Sequence, residues 1–203
     1  FFTIPMTFGL SVLAKPVWTV FYGVSTFGPS VYQYYVFVAL ATTLFTASVT
    51  ILQLLKEYKR VFISLLAGLL TNALFNIPLL YTFNSMGLPA YYGSTTSTIL
   101  GYVVCSYLAL SYIHKKYDIN YEDTLKKVLN IILITVFMVV VLTIMKYFVP
   151  FNSTSRMINI IYIILYSIVG IIVYFTFMFK TKLVYNIFGY DYVNKMVKKI
   201  KRR

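Results

Sequence analysis

Charged residues are scarce in this sequence, and acidic residues are the scarcest. Only 11% of the 203 residues are charged, and 18 basic residues stand against five acidic ones. Soluble domains contain roughly a quarter charged residues. The low charge content and a mean hydropathy of +0.79 therefore argue against a soluble protein.

Cysteine and histidine are almost absent. Cys105 is the single cysteine, so no disulfide can form within the chain. His114 is the single histidine and lies next to Lys115, so no Ser–His–Asp arrangement can be built within a membrane. The sequence has no Cys/His/carboxylate cluster with metal-ligand spacing and no Gly-rich nucleotide loop. We therefore expect no enzyme and no cofactor.

Long apolar runs dominate what is present. A helix needs about 20 apolar residues to cross a bilayer core of about 30 Å, and its backbone groups must be paired within the helix. Six runs have this length, at 1–22, 31–55, 61–83, 88–113, 125–149 and 157–179. The sequence predicts an all-α integral membrane protein with six transmembrane helices. Because Phe1 already lies in an apolar run, we expect these six helices to be part of a longer protein.

The net charge of +13 is concentrated in alternate loops. Basic residues lie at 56–60, around 114–127 and in the tail from Lys180, whereas the loops 23–30 and 84–87 are uncharged. Cytoplasmic loops of membrane proteins are rich in Lys and Arg. The pattern predicts a cytoplasmic C-terminus, and it explains the positive charge without a nucleic-acid partner.

The acidic residues all lie outside the predicted helices, at Glu57, Asp118, Glu122, Asp123 and Asp191. Ionised residues at membrane depth usually have a function. We therefore expect no buried carboxylate for a proton relay in this part of the protein.

The tail 180–203 is predicted to be a separate element. Apolar residues recur among basic ones at helical spacing, at Val184, Ile187, Phe188, Met196, Val197 and Ile200. This pattern is typical of an interfacial amphipathic helix that binds the anionic lipids of the cytoplasmic leaflet. Alternatively, the basic residues only hold the C-terminus on the cytoplasmic side of the membrane and bind no specific lipid.

Polar residues form stripes on two of the predicted helices. The stripe on the second helix consists of Thr43, Thr46, Thr50 and Gln53. On the third helix, Asn72 and Asn76 are one turn apart. Such residues either join helices by hydrogen bonds or line a substrate or ion path. The amide oxygens of the Asn pair are suited to Na⁺, a hard cation that prefers oxygen ligands.

The first predicted helix contains Pro5, Gly9 and Pro16. Proline removes a helix hydrogen bond, so we expect this helix to be bent, as is common in transporters that alternate between access states. Lys15 precedes the second proline. Its ammonium group either faces a cavity and attracts an anionic headgroup or extends to the membrane interface.

Several segments, taken in order, resemble a known family. They are Pro5-Met-Thr-Phe-Gly9 with Lys15-Pro-Val-Trp18, Gln53 before a Lys/Arg turn, Asn72-Ala-Leu-Phe-Asn76, and Gly87-Leu-Pro-Ala before a Gly/Ser/Thr-rich helix start. Together they resemble the polysaccharide-transporter and MurJ-type lipid II flippase branch of the multidrug/oligosaccharidyl-lipid/polysaccharide exporter superfamily. The stage V sporulation protein B-like members look most similar.

The resemblance implies a protein of fourteen helices in two lobes in the bacterial cytoplasmic membrane, with helices nine to fourteen in this chain. Residues 1–114 would form the last four helices of the C-terminal lobe. Residues 115–179 would form two extra helices that help build a groove for a polyprenyl tail, and 180–203 the basic tail. The resemblance also implies a sodium site at Asn72 and Asn76 with Thr95 or Thr96. Some family members have an acid where this chain has Asn76.

The leading hypothesis is a flippase that moves an undecaprenyl-pyrophosphate-linked oligosaccharide across the membrane by alternating access. Its cargo would be lipid II or a precursor of a surface polysaccharide, and Lys15 and the threonine stripe would line the path. One alternative is a multidrug or cation antiporter, against which the two extra helices and the lack of buried acids argue. A membrane scaffold without transport activity is the other alternative.

Overall fold

The computed structural model describes residues 1–189, and nine α-helices make up this part of the chain. They are α1 Thr3–Val12, α2 Ala14–Tyr22, α3 Gly28–Tyr35, α4 Val38–Leu54, α5 Tyr58–Ser85, α6 Tyr91–Tyr117, α7 Glu122–Phe148, α8 Arg156–Lys180 and α9 Leu183–Phe188. No strand occurs between residues 1 and 189.

Five segments are long and apolar enough to cross a membrane. Four are single helices, α5 to α8, and the fifth is Gly28–Leu54, which joins α3 and α4. The pair α1 and α2 makes a sixth if the two helices form one broken span. The prediction of a multi-pass, all-helical membrane protein is therefore confirmed. The second span begins at Gly28, inside the predicted loop 23–30. Pro29 is tolerated there because it lies in the first turn of α3, where backbone N–H groups make no hydrogen bond within the helix.

The first predicted span is broken into two helices that meet at 76°. The break lies at Leu13, three residues before Pro16. Proline has no N–H to donate to the carbonyl of Val12, and its ring crowds the preceding turn. Pro5 lies in the first turn of α1, where N–H groups have no intrahelical partner, so it causes no bend. Only one of the two prolines therefore coincides with a bend.

The helices pack into two groups, each with its own apolar core. In the first group, α6 packs along α5 and α4, and Leu52, Cys105 and Ile113 form part of its core. In the second group, α1 packs on α7 and α2 packs on α8, around Met138 and Tyr166. The broken helix thus belongs with the last two long helices, although it is separated from them in sequence by the whole first group.

Helix α3 connects the two groups. It packs against α2 and α1 on one side and against α6 on the other. Trp18 of α2 lies directly against Gly28, where an added Cβ would come within 2.0 Å of the indole ring. The start of α3 is therefore fixed on the broken helix.

Only the beginning of the predicted amphipathic tail lies among the described residues. There α9 is a short helix, and Leu183 and Val184 are buried against the α7–α8 core rather than exposed to lipid. Met196, Val197, Ile200 and the basic residues around them lie outside the described residues. The lipid-binding tail therefore stays a prediction.

Candidate functional site

A polar centre lies next to a close approach of α5 and α6. Gly68 and Gly101 allow this approach, because a Cβ added to Gly68 would lie 2.7 Å from the carbonyl oxygen of Gly101. One turn further along α5, Asn72 Oδ1 accepts a hydrogen bond of 3.0 Å from the Ser97 hydroxyl. Ser97 is fully buried and shares its proton with the carbonyl of Ser94.

Asn76 continues the same stripe of α5. Its Oδ1 atom is buried and has no hydrogen-bond donor among the described residues. An unpaired buried carbonyl oxygen costs free energy unless a donor or a cation satisfies it. Asn76 lies between the Asn72–Ser97 bond and the contact of Leu79 with Gly93, where a Cβ on the glycine would come within 2.5 Å of backbone atoms. The unpaired oxygen therefore belongs to a stretch of α5 that has a contact with α6 on either side.

The two threonines predicted to join this site do not bond to the asparagines. Thr95 is buried and donates to the carbonyl of Tyr91 at 2.9 Å. Thr96 donates to the carbonyl of Tyr92 at 2.7 Å and also lies 2.7 Å from the hydroxyl of Tyr34. The residue of α6 that bonds to Asn72 is Ser97, and it follows Thr96 directly.

The threonine stripe of α4 is exposed. Thr43, Thr46, Thr50 and Gln53 all lie on the outside of the helix group, and Thr43 and Thr46 line an open concavity of about 740 Å³. The hydroxyls of Thr43 and Thr46 donate to carbonyls one turn back, at 2.7 and 2.9 Å. They join no other described helix, so the hydrogen-bonding role that was the alternative at these two positions is not seen.

An apolar groove lies between α1, α7 and α8. α1 packs on α7, α2 bends by 76° to pack on α8, and Phe1 and Phe2, at the start of α1, contact Tyr174 and Phe175 of α8. The groove has a volume of about 340 Å³. Its floor includes Met138 and Leu142 of α7, and Gly9 and Gly170 border it. The hydroxyls of Tyr166 and Tyr174 are bonded to the backbone carbonyls of Val149 and Phe1. The lining thus presents little unsatisfied polarity to a ligand.

Lys15 lies at the break between α1 and α2, with its side chain exposed. It does not line the groove, and it forms no ion pair within residues 1–189. The residues on either side of it, Ala14 and Pro16, are buried. The break therefore directs a basic side chain away from the helix core.

A charged cluster closes one end of the first helix group. Glu57, in the turn between α4 and α5, accepts hydrogen bonds from Lys116 and from the hydroxyls of Tyr112 and Tyr117 of α6, the last two at 3.0 and 3.2 Å. The guanidinium group of Arg60 lies 4.6 Å from the centre of the Tyr112 ring. The hydrogen bonds from Lys116 and Tyr112 lower the pKa of the Glu57 carboxyl. This cluster fastens the turn to α6.

The chain is similar to a known transporter. It is 25% identical over 155 residues to the lipid II flippase MurJ of Bacillus subtilis (strain 168). The aligned region covers 74% of this chain and 27% of the flippase, so the chain spans about a quarter of the length of that relative. No family model and no solved structure matches the chain.

The sequence did not indicate the roles of Ser97 and Tyr34 or the part of α1 in the groove. Ser97 and Tyr34 make the long-range bonds of the polar centre, and α1 lines the groove together with α7 and α8, the two helices that the resemblance implied. The four-residue spacing of Gly93, Ser97 and Gly101 was the available signal for the α5-facing side of α6. No comparable signal exists for Tyr34, since the sequence has 20 tyrosines.

Proposed function

We propose that this chain is the C-terminal portion of a flippase for a lipid-linked oligosaccharide in the bacterial cytoplasmic membrane. The observation that carries the proposal is the apolar groove between α1, α7 and α8, in a chain similar to a lipid II flippase. The cargo would be lipid II or another undecaprenyl-pyrophosphate-linked sugar. The similarity points to a transporter rather than an enzyme.

In this proposal the groove holds part of the polyprenyl tail. A polyprenyl chain is apolar along its length, and the groove lining is apolar with its tyrosine hydroxyls already bonded. Burial of apolar surface contributes about 25 cal/mol per Å². The groove therefore supplies affinity for the tail without specifying the sugar.

The exposed face of α4 and Lys15 would lie toward the path of the headgroup. Polar hydroxyls on the outside of a membrane helix are unfavourable against lipid, so we infer that Thr43, Thr46, Thr50 and Gln53 face water or a second lobe. Lys15 would attract the pyrophosphate. The proposed arrangement has fourteen helices, a cytoplasmic C-terminus and a basic tail on anionic lipids.

A coupling cation such as Na⁺ fits the donor set between α5 and α6. The Asn76 amide oxygen is buried and lacks a donor, and that is the state in which an oxygen ligand is available to a cation. Asn72 would contribute a further oxygen, and so would Thr95 or Thr96, whose hydroxyls both donate to carbonyls of α6 and keep lone pairs for a cation. Among residues 1–189, these helices offer no carboxylate near the asparagines, so the ligands would be neutral. The electrochemical gradient of this ion across the membrane would then drive transport.

The test is binding and transbilayer movement by the full-length protein in liposomes. Native mass spectrometry would compare lipid II, a capsule-type lipid-linked sugar and a cationic drug, and a fluorescent lipid II would report flipping. Selective retention and flipping of a polyprenyl-pyrophosphate lipid is expected. Retention of the drug alone would favour an antiporter, and retention of nothing would favour a scaffold.

A matched pair of variants tests the groove itself. Gly170→Leu would fill the groove and should lower lipid retention about thirtyfold, because a branched side chain would displace roughly 2 kcal/mol of apolar contact. Gly170→Ala is the control, since its Cβ would lie at an ordinary 3.5 Å from Leu142. Equal retention by both variants would remove the groove from the binding site.

A further inference from the structure

Tyr34 connects the broken-helix segment to the polar centre. It lies on α3, which packs on α2 and α1, and its hydroxyl reaches Thr96 of α6 at 2.7 Å. Its ring also packs on Tyr92, with 4.5 Å between ring centroids. Both the ring and the hydroxyl of Tyr34 therefore engage the same turn of α6.

The direction of this hydrogen bond follows from the proton count. Thr96 has one hydroxyl proton, and it is donated to the carbonyl of Tyr92. Tyr34 must then donate to Thr96 Oγ1. The two successive hydrogen bonds, from Tyr34 to Thr96 and from Thr96 to the carbonyl of Tyr92, fix the rotamer of Thr96. They leave one lone pair on Oγ1 for a further partner.

The next residue of α6 makes the bond to α5. Ser97 donates to Asn72, so two consecutive residues tie the same turn of α6 to α3 and to α5. A displacement of α3 that pulls Thr96 would also move Ser97. The unpaired oxygen of Asn76 lies on this same stripe, one turn beyond Asn72.

We propose that Tyr34 is a positioning residue that couples the position of α3, and with it the broken helix, to cation binding between α5 and α6. The inference rests on the proposed cation site of the transporter. It predicts that cation binding holds α3 against α6, and that loss of the Tyr34 hydroxyl weakens cation binding by the reciprocity of coupled sites.

The experiment measures α3 directly, on the full-length protein in liposomes. Ser30→Cys on α3 serves as the reporter, in a background where the buried Cys105 is replaced by Ala. The rate of maleimide labelling is followed as Na⁺ replaces K⁺ at constant ionic strength. Tyr34→Phe is compared with Tyr35→Phe, which removes the same atom from a neighbouring exposed side chain.

We expect Na⁺ to slow labelling of the reporter, and Tyr34→Phe to raise the half-effective Na⁺ concentration about two- to tenfold, the range for one hydrogen bond. Thr96→Val should raise it at least as much, the double variant should respond like Thr96→Val alone, and Thr96→Ser, which keeps the hydroxyl, should not shift it. Tyr35→Phe should match the wild type.

Two outcomes would overturn the coupling: labelling that Na⁺ does not change, or a Tyr34→Phe response equal to that of Tyr35→Phe. Flipping of lipid II is recorded separately on the same samples. A protein that shows the Na⁺ shift but moves no lipid keeps the coupling and refutes the flippase proposal. A protein that flips lipid II but shows no Na⁺ shift refutes the coupling and keeps the flippase proposal.

Discussion

Replacement of Gly68 by Ala should separate α5 from α6. The new Cβ would lie 2.7 Å from the carbonyl oxygen of Gly101 and 3.0 Å from Cβ of Cys105. Non-bonded heavy atoms are at their optimum near 3.5 Å, so the helices would have to move apart by roughly 0.8 Å. A gap of about that size forfeits a quarter to a half of the local dispersion energy.

The same movement would lengthen the 3.0 Å bond between Ser97 and Asn72, one turn away. Overpacking of this kind costs about 1–3 kcal/mol. The loss should exceed the gain of about 0.5–1 kcal/mol that Ala brings to a helix interior.

The assay is reversible unfolding of the purified protein in mixed micelles, with the free energy of unfolding compared between variants. Gly9→Ala is the matched control, because its Cβ would lie at a comfortable 3.9 Å from Met138 Cε. The control should be as stable as the wild type or slightly more stable. If Gly68→Ala unfolds at the same point as Gly9→Ala, the close approach of α5 and α6 is not a real constraint and the reasoning fails.

Two further predictions concern charged residues. Because its hydrogen bonds lower the pKa of Glu57, this cluster should stabilise the protein fully above the ordinary glutamate pKa of about 4.3 and lose that effect as the pH falls through the lowered value. Glu57→Gln should therefore flatten the acid side of a plot of melting temperature against pH, and an unchanged acid side would contradict the ion-pair account. Lys15→Met should weaken retention of lipid II about ten- to 150-fold while Lys15→Arg retains it, since a charge-assisted bond to phosphate contributes about 1.5–3 kcal/mol. Equal retention by both variants in native mass spectrometry would instead place Lys15 at the membrane interface.

The helices and their membrane character could be predicted from sequence because these properties are local. Twenty apolar residues in lipid must form a helix, whatever they pack against. The bend near Pro16 follows equally from the lost N–H of one residue. Pro5 does not bend α1 because the helix begins at Thr3, which places this proline in the first turn. The start at Thr3 could not be predicted, since the apolar run around it contains no signal for the first residue of a helix.

The partners within the candidate site could not be predicted because they depend on packing between distant segments. Asn72 was recognised as polar at membrane depth, but its partner Ser97 competed with Thr95 and Thr96 on the same Gly/Ser/Thr-rich stretch. The close contacts of Gly68 with Gly101 and of Gly93 with Leu79 decide which side of α6 faces α5. The exposure of the α4 threonines likewise depends on the absence of a described helix over that face.

The pairing of the broken helix with α7 and α8 has a consequence for biogenesis. The carbonyl of Phe1 and the hydroxyl of Tyr174 are bonded although they are 173 positions apart. At a synthesis rate of about 5–20 residues per second, α1 and α2 enter the membrane roughly ten to thirty seconds before α8 is made. During that interval Leu13, whose side chain is buried in the finished protein among residues of α7 and α8, has none of these partners. Helix α1 must therefore remain next to the insertion machinery or another helix until α7 and α8 have been synthesised.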